Sequence, residues 1–249
     1  MKKYKIIQLL ILLIFIIIWE LLTRFNIIDS FIFSSPSLII KTIIKLYNDG
    51  ILFKHIFTTL NEIIISFILG ISLGFIIALI FYLYPFTYKI LEPFLTILNS
   101  LPKVALGPII LIWFGANTKS IIIMALLINL FISIINIYNG LINYNKEQLK
   151  YFQSLKATKL QIVRYLILPN AKKAIISSLK INISMTLIGV IMGELLSSKN
   201  GLGYLIIYGT QIFNLNLVMT GIFLVIIISY ILYQLICYIE KNLLETNNY

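Results

Sequence analysis

Long stretches of nearly uncharged apolar residues recur along this chain, and they dictate its solvent. Wound as a helix, a stretch of about 20 such residues matches the thickness of a bilayer's hydrocarbon core. The first runs from Ile6 to Thr23, and the second from about Ile63 to Tyr84. From Val104 to about Gly140 the chain stays apolar, too long for one span and just sufficient for two. Its break, Gly115-Ala116-Asn117-Thr118-Lys119, marks a tight turn between spans at 104–115 and 119–140. Two further runs cover 174–196 and 216–239. The sequence therefore predicts an all-α polytopic membrane protein, with about six transmembrane helices in a single domain over 1–249. The runs are continuous where barrel strands would alternate, which excludes a β-barrel.

Composition agrees. Hydrophobic residues make up 60% of the chain and charged residues 12%, with a mean hydropathy of +0.99. Soluble domains average about 45–50% apolar and roughly 25% charged residues. A single core cannot hide that surplus, so a soluble enzyme is set aside. The first run is longer than a signal h-region and ends in Trp19-Glu20 without a small-residue cleavage site. It reads as a retained span, with Trp19 as interfacial anchor. Cys237 is the single cysteine and allows no internal disulfide. His55 sits in a connecting stretch with no second His or Cys to complete a metal site, so neither metal nor cofactor is expected.

Twenty Lys and Arg against nine Asp and Glu give +11, which in a soluble protein would suggest nucleic acid. In a membrane chain the surplus is first a topology signal. With the N-terminus in the cytoplasm, fourteen cations fall inside, Lys103 among them, and six outside. Both termini are therefore expected on the cytoplasmic side, and no nucleic-acid partner is expected. The first outer loop carries four cations; its stretch Pro36 to Tyr47 has helical apolar spacing and suits a helix along the membrane surface.

The second span places Ser66, Gly70, Gly74 and Ala78 four residues apart, and the fifth places Gly189, Gly193 and Ser197 likewise. Such stripes let a neighbouring helix approach closely; packing within the bundle and a solute path along the face are both open readings. Glu20 and Glu194 fall near span ends, where solvated anchors or an ion path are the alternatives. There is no phosphate-binding loop of the G-x-x-x-x-G-K-[ST] type, and Gly201-Leu202-Gly203 lacks the third glycine of a dinucleotide fingerprint. No cluster of His, Asp or Cys supports a membrane-bound enzyme.

The most informative segment is the polar loop 141–173. Leu149, Phe152 and Leu155 recur every three residues, as on one face of a short helix. Thr158-Lys159-Leu160-Gln161 has the form of a capping box that opens a second helix. That helix is expected to carry Leu160, Val163 and Ile167 on one face and to end before Pro169. A basic loop held at anionic lipid heads needs charge but no order, whereas a docking element needs both.

The segment Gln153 to Gln161, continuing to Ile167-Leu168-Pro169, resembles the EAA loop of ABC-importer permeases. Leu101-Pro102-Lys103-Val104-Ala105-Leu106-Gly107-Pro108 with Trp113-Phe114-Gly115, and Gly193-Glu194 with the downstream Gly201-Leu202-Gly203, look like the nitrate/sulfonate/taurine subfamily. The resemblance implies a type I importer permease in the cell membrane. Its implied partners are a second copy of the chain, two cytoplasmic ATP-binding subunits and an extracytoplasmic solute-binding protein. It assigns ATPase coupling to Leu155, Lys156, Ala157, Thr158, Leu160, Gln161, Leu168 and Pro169, with Leu160 as a docking knob. The sequence departs from the pattern in two places: the family's Glu-Ala-Ala falls on Lys150-Tyr151-Phe152, and its glycine falls on Lys156. A glycine there would serve a left-handed turn, which costs a residue with a Cβ about 1–2 kcal/mol. The implied cargo is an organic sulfonate, taurine or nitrate-like anion, with a neutral or aromatic vitamin precursor as the alternative. A secondary transporter without ATP would call for intramembrane ionisable residues and inverted repeats.

Overall fold

The computed structural model describes residues 2–245, which are helical throughout and connected by short turns. In chain order the helices are α1 (Lys2–Arg24), α2 (Ser30–Phe33), α3 (Pro36–Asn48), α4 (Leu52–Leu83), α5 (Pro85–Ser100), α6 (Gly107–Phe114), α7 (Thr118–Ile142), α8 (Lys146–Ser154), α9 (Lys159–Ile162), α10 (Leu168–Ser197), α11 (Leu202–Gln211) and α12 (Leu215–Glu245). A 3-10 turn (Lys103–Leu106) precedes α6, and a π turn (Val163–Ile167) joins α9 to α10. Among the described residues, five helices are long and apolar enough to cross a membrane: Ile6–Arg24, Leu52–Leu83, Thr118–Ile142, Lys159–Ser197 and Leu215–Leu244. A sixth candidate is the pair Pro85–Ser100 and Lys103–Phe114, bent by 84° at its break.

That bent pair corrects the expected third span. Only the 3-10 turn and the eight-residue α6 occupy 104–115, while α5 fills a stretch that hydropathy leaves as a loop. Lys89, Glu92, Pro93 and Asn99 interrupt its apolar run, yet none prevents a helix. The break has a local cause. Pro102 disfavours helical ψ in the residue before it, and Leu101 is extended at ψ 141°.

The loop's second helix also differs from expectation, because the chain does not stop before Pro169. Helix α9 passes through the π turn directly into α10, and Leu168 donates its N–H to Val163 O. Proline has no N–H to give to the preceding turn. A wide turn just ahead of it absorbs that missing bond without ending the helix.

The described residues form two compact units, 2–59 with 199–227, and 60–198 with 228–245. In the first, the Ser35 hydroxyl caps α3 by accepting from Leu38 N–H at 3.3 Å, with Pro36 in the first turn. Glu20 Oε2 accepts from Ser37 N–H at 3.0 Å, so this carboxylate closes the start of α3. His55 lies on α4 and is buried, contrary to its expected place in a connecting stretch. Its Nδ1 accepts from Gly201 N–H at 3.0 Å, and Thr59 Oγ1 accepts from Leu202 N–H at 2.8 Å. Together they satisfy backbone donors that the start of α11 leaves open.

The second unit is built around α7. Asn117 caps it, accepting from Lys119 and Ser120 N–H at 2.9 and 3.3 Å. A buried cluster joins Ala78 and Phe81 of α4 with Ile134, Ile137, Tyr138 and Leu141 of α7. The same cluster takes in Ile162, Leu166, Ile167 and Ala171, so the loop 141–173 is anchored by its own apolar side chains. On α12, Glu240 pairs with Lys180 of α10 and accepts from Ser177 Oγ at 3.0 Å.

Candidate coupling surface and membrane-interior site

The 141–173 loop is an ordered helix–turn–helix. Asn145 Oδ1 caps α8 by accepting from Glu147 N–H at 2.8 Å. At the other end Lys156 takes φ +56°, with Lys156 N–H on Gln153 O at 2.9 Å and Ala157 N–H on Phe152 O at 3.1 Å. This pair of bonds is the left-handed helix ending that normally uses glycine. Lys156 therefore adopts the left-handed turn that a glycine would otherwise serve. The capping box follows at once: Gln161 N–H donates to Thr158 Oγ1 at 3.3 Å, and Thr158 N–H to Gln161 Oε1 at 2.7 Å.

The turn divides the apolar side chains of the loop. Leu149, Phe152, Ala157 and Leu168 pack against the buried cluster. Leu155 and Leu160 point outward, 62% and 72% exposed, with Tyr151 and Tyr165 also exposed. Two expected faces are corrected here. Leu155 leaves the Leu149–Phe152 face because α8 ends at Ser154. Leu160, in the first turn of α9, is exposed while Val163 and Ile167 are buried. Lys156, Thr158, Gln161 and Pro169 are exposed around the pair.

The small-residue stripes of α4 and α10 both lie against α7. A Cβ on Gly74 would sit 2.6 Å from Ser133 Cβ, and Gly70 meets Asn129. On α10, a Cβ on Gly189 would lie 2.5 Å from Ala125 Cα, and one on Gly193 would lie 3.1 Å from Ile121 Cα. Buried polar side chains span the same zone. Asn129 Nδ2 donates to Thr186 Oγ1 at 2.8 Å, and Ser133 Oγ lies 2.9 Å from both Asn129 Oδ1 and Asn182 Oδ1. Hydrogen bonds of this kind tie helices together where lipid offers no competing partner.

Glu194 is 0% exposed, which overturns its reading as a solvated anchor near a span end. Its neighbour is Glu62, 1% exposed and one helical turn before the buried Ser66 on α4. Hydropathy missed Glu62 because it stands just outside the expected start of the second span. Lys103 is displaced in the same sense. Counted among the cytoplasmic cations, its ammonium instead lies 5.5 Å from the centroid of the Phe131 ring, near the midpoint of α7.

The fold defines the class: a multi-pass helical membrane protein with an ordered helix–turn–helix loop between two of its spans. Residues 70–245 match the family of binding-protein-dependent transport system inner membrane components. The chain is 30% identical over 195 residues to the formylaminopyrimidine transport permease protein ThiX of Halalkalibacterium halodurans, covering 78% of this chain and 77% of that one. It is 22% identical over 226 residues to the taurine transport system permease protein TauC of Escherichia coli, covering 89% and 82%. The inward-facing MetNI methionine ABC transporter has the same fold, with a TM-score of 0.68 at 19% identity over 77% of this chain and 95% of that one.

The chain belongs to the binding-protein-dependent transport system inner membrane component family. It is a multi-pass inner-membrane permease subunit of an ABC importer and not an enzyme; family membership implies ATP-binding subunits and a substrate-binding protein as its partners.

Proposed function

We propose that two copies of this chain enclose the path of a small solute, which a binding protein delivers from outside and two cytoplasmic ATP-binding subunits drive inward. Both termini then face the cytoplasm. That orientation draws on Lys2, Lys3 and Lys5, whose side chains lie outside the described residues, as do residues 1 and 246–249. The observation that carries the proposal is the exposed pair Leu155 and Leu160, held on either side of a hydrogen-bonded turn while the loop's other leucines pack inward. Burying a leucine is worth about 1.5–3 kcal/mol, so an ordered pair left in water fits a groove on a partner. In this reading Ala157, Leu168 and the Thr158–Gln161 cap hold the pair in place. Ser66, Gly70, Gly74, Gly189 and Gly193 let α4, α7 and α10 move as one packed body.

The proposed cargo is a small organic sulfonate, taurine or nitrate-like anion, supported by the segment 101–115 and by the likeness to TauC. The likeness to ThiX supports a second reading, a neutral vitamin precursor. Proteoliposomes holding the full assembly separate these. ATP on the loop side, with binding protein on the other, should drive uptake of labelled taurine or nitrate. Uptake of a pyrimidine alone would select the second reading, and uptake driven by an ion gradient without ATP would overturn the coupling.

A further inference from the structure

Resting on that permease reading, a second functional feature lies on the bent pair α5–α6. Glu92, Thr96 and Asn99 are spaced four and three residues apart on one face of α5, and Lys103, beyond the break in the 3-10 turn, reaches back to Asn99 with its side chain. Helix α5 has no buried residue, and Glu92 and Thr96 are exposed. The face climbs along α7. The Tyr88 ring, one turn before Glu92, stacks on Tyr138 at 3.7 Å near the loop end of α7, whereas Lys103 reaches Phe131 near its midpoint. A polar strip thus runs from the loop end to the middle of the membrane-spanning bundle.

Lipid is a poor neighbour for such a strip, because a charge at the bilayer centre is costly even by the mildest scale. Membrane proteins turn such residues toward a water-filled cavity or a partner charge. Among the described residues Lys103 has no carboxylate partner: its Nζ donates to Asn99 O at 3.1 Å and to Asn99 Oδ1 at 3.2 Å, both neutral acceptors. An ammonium carries three donors, so one N–H is left over by Asn99, and the charge is met only by the Phe131 ring face at 5.5 Å, which leaves it open to an anion. Hydroxyl and amide groups along the strip supply hydration on the way.

We propose that the Glu92–Thr96–Asn99–Lys103 strip lines the water-filled path, and that the Lys103 ammonium is a midplane docking point for a small oxoanion in transit. Sulfonate and nitrate share that chemistry, a compact negative charge spread over several acceptor oxygens. One charged hydrogen bond in a wet cavity holds such an ion loosely enough to release it. A neutral pyrimidine gains nothing comparable from Lys103.

The test uses thiol reagents and needs no identified cargo. Cys237 is the single cysteine, so Cys237→Ser gives a blank background. In open membrane fragments carrying the complete assembly, Thr96→Cys should react with small water-soluble thiosulfonates, whereas Phe94→Cys on another face of α5 should not. The anionic reagent should gain about tenfold over the cationic one, and Lys103→Gln should erase that preference, since a charged cleft concentrates counter-ions by such factors. Lys103→Arg should keep it. An unreactive Thr96→Cys, or a preference unchanged in Lys103→Gln, overturns the proposal. ATP hydrolysis by the same preparation reports on the broader permease reading, so the two fail separately.

Discussion

The amide of Lys156 donates to the carbonyl of Gln153 at 2.9 Å, and it does so from a left-handed backbone at φ +56°. A lysine spends about 1–2 kcal/mol to stand there. Lys156→Gly should therefore raise the unfolding midpoint of the purified chain in detergent and leave partner binding intact. Gly also loosens the unfolded chain, so the net gain expected is about 1 kcal/mol. A lower midpoint would mean that the lysine side chain itself holds the turn.

The cap that follows the turn is a separate contribution. Thr158→Ala removes the acceptor for Gln161 N–H and should cost about 1 kcal/mol locally. Hydrogen exchange at residues 160–162 should speed up, while exchange in α7 stays as it was.

Much of this architecture is legible in the sequence, and the illegible parts share a cause. Uninterrupted apolar runs announce α1, α4, α7, α10 and α12, and the Thr158–Gln161 spacing announces the capping box. Helix α5 is hidden because Glu92 and Pro93 break its hydropathy, and the depth of Lys103 depends on an 84° bend that no periodicity records. Leu160 and Val163 read as one face, yet Leu160 is exposed and Val163 buried, because only the packing of the loop onto α7 decides which of them meets the core. The partner of His55 is a backbone amide 146 residues away, and backbone donors leave no trace in side-chain patterns. Glu62 and Glu194 meet only through the fold, so neither announces burial by itself.

The His55 clamp predicts a measurable loss. His55→Ala leaves the buried Gly201 N–H without its acceptor, at a cost of about 1–3 kcal/mol. Exchange at Gly201 and Leu202 should rise sharply, and His55→Asn, which keeps a short acceptor, should recover part of the protection.

Close approach along α7 predicts a steric failure. Gly189→Val places two methyl groups where a lone Cβ already lies 2.5 Å from Ala125 Cα. Forcing those helices apart should cost about 1–3 kcal/mol or more. Limited proteolysis of membranes should show the variant cleaved faster than Gly107→Ala, where the nearest atoms are the flexible ends of the Leu196 and Met124 side chains.

Whether Leu155 and Leu160 are the contact with the motor is decided most directly by stoichiometry. The chain and its ATP-binding partner are co-expressed, extracted in mild detergent, and captured through a tag on the permease. Wild type and Leu160→Met should retain the partner in equal amounts, because Met preserves the apolar knob. Leu160→Asp should lose it while eluting as a monodisperse, helical permease, since Leu160 is 72% exposed and its loss leaves the fold untouched. Full retention by Leu160→Asp, or by Leu155→Asp with Leu160→Asp together, would contradict the assignment of this turn as the coupling surface.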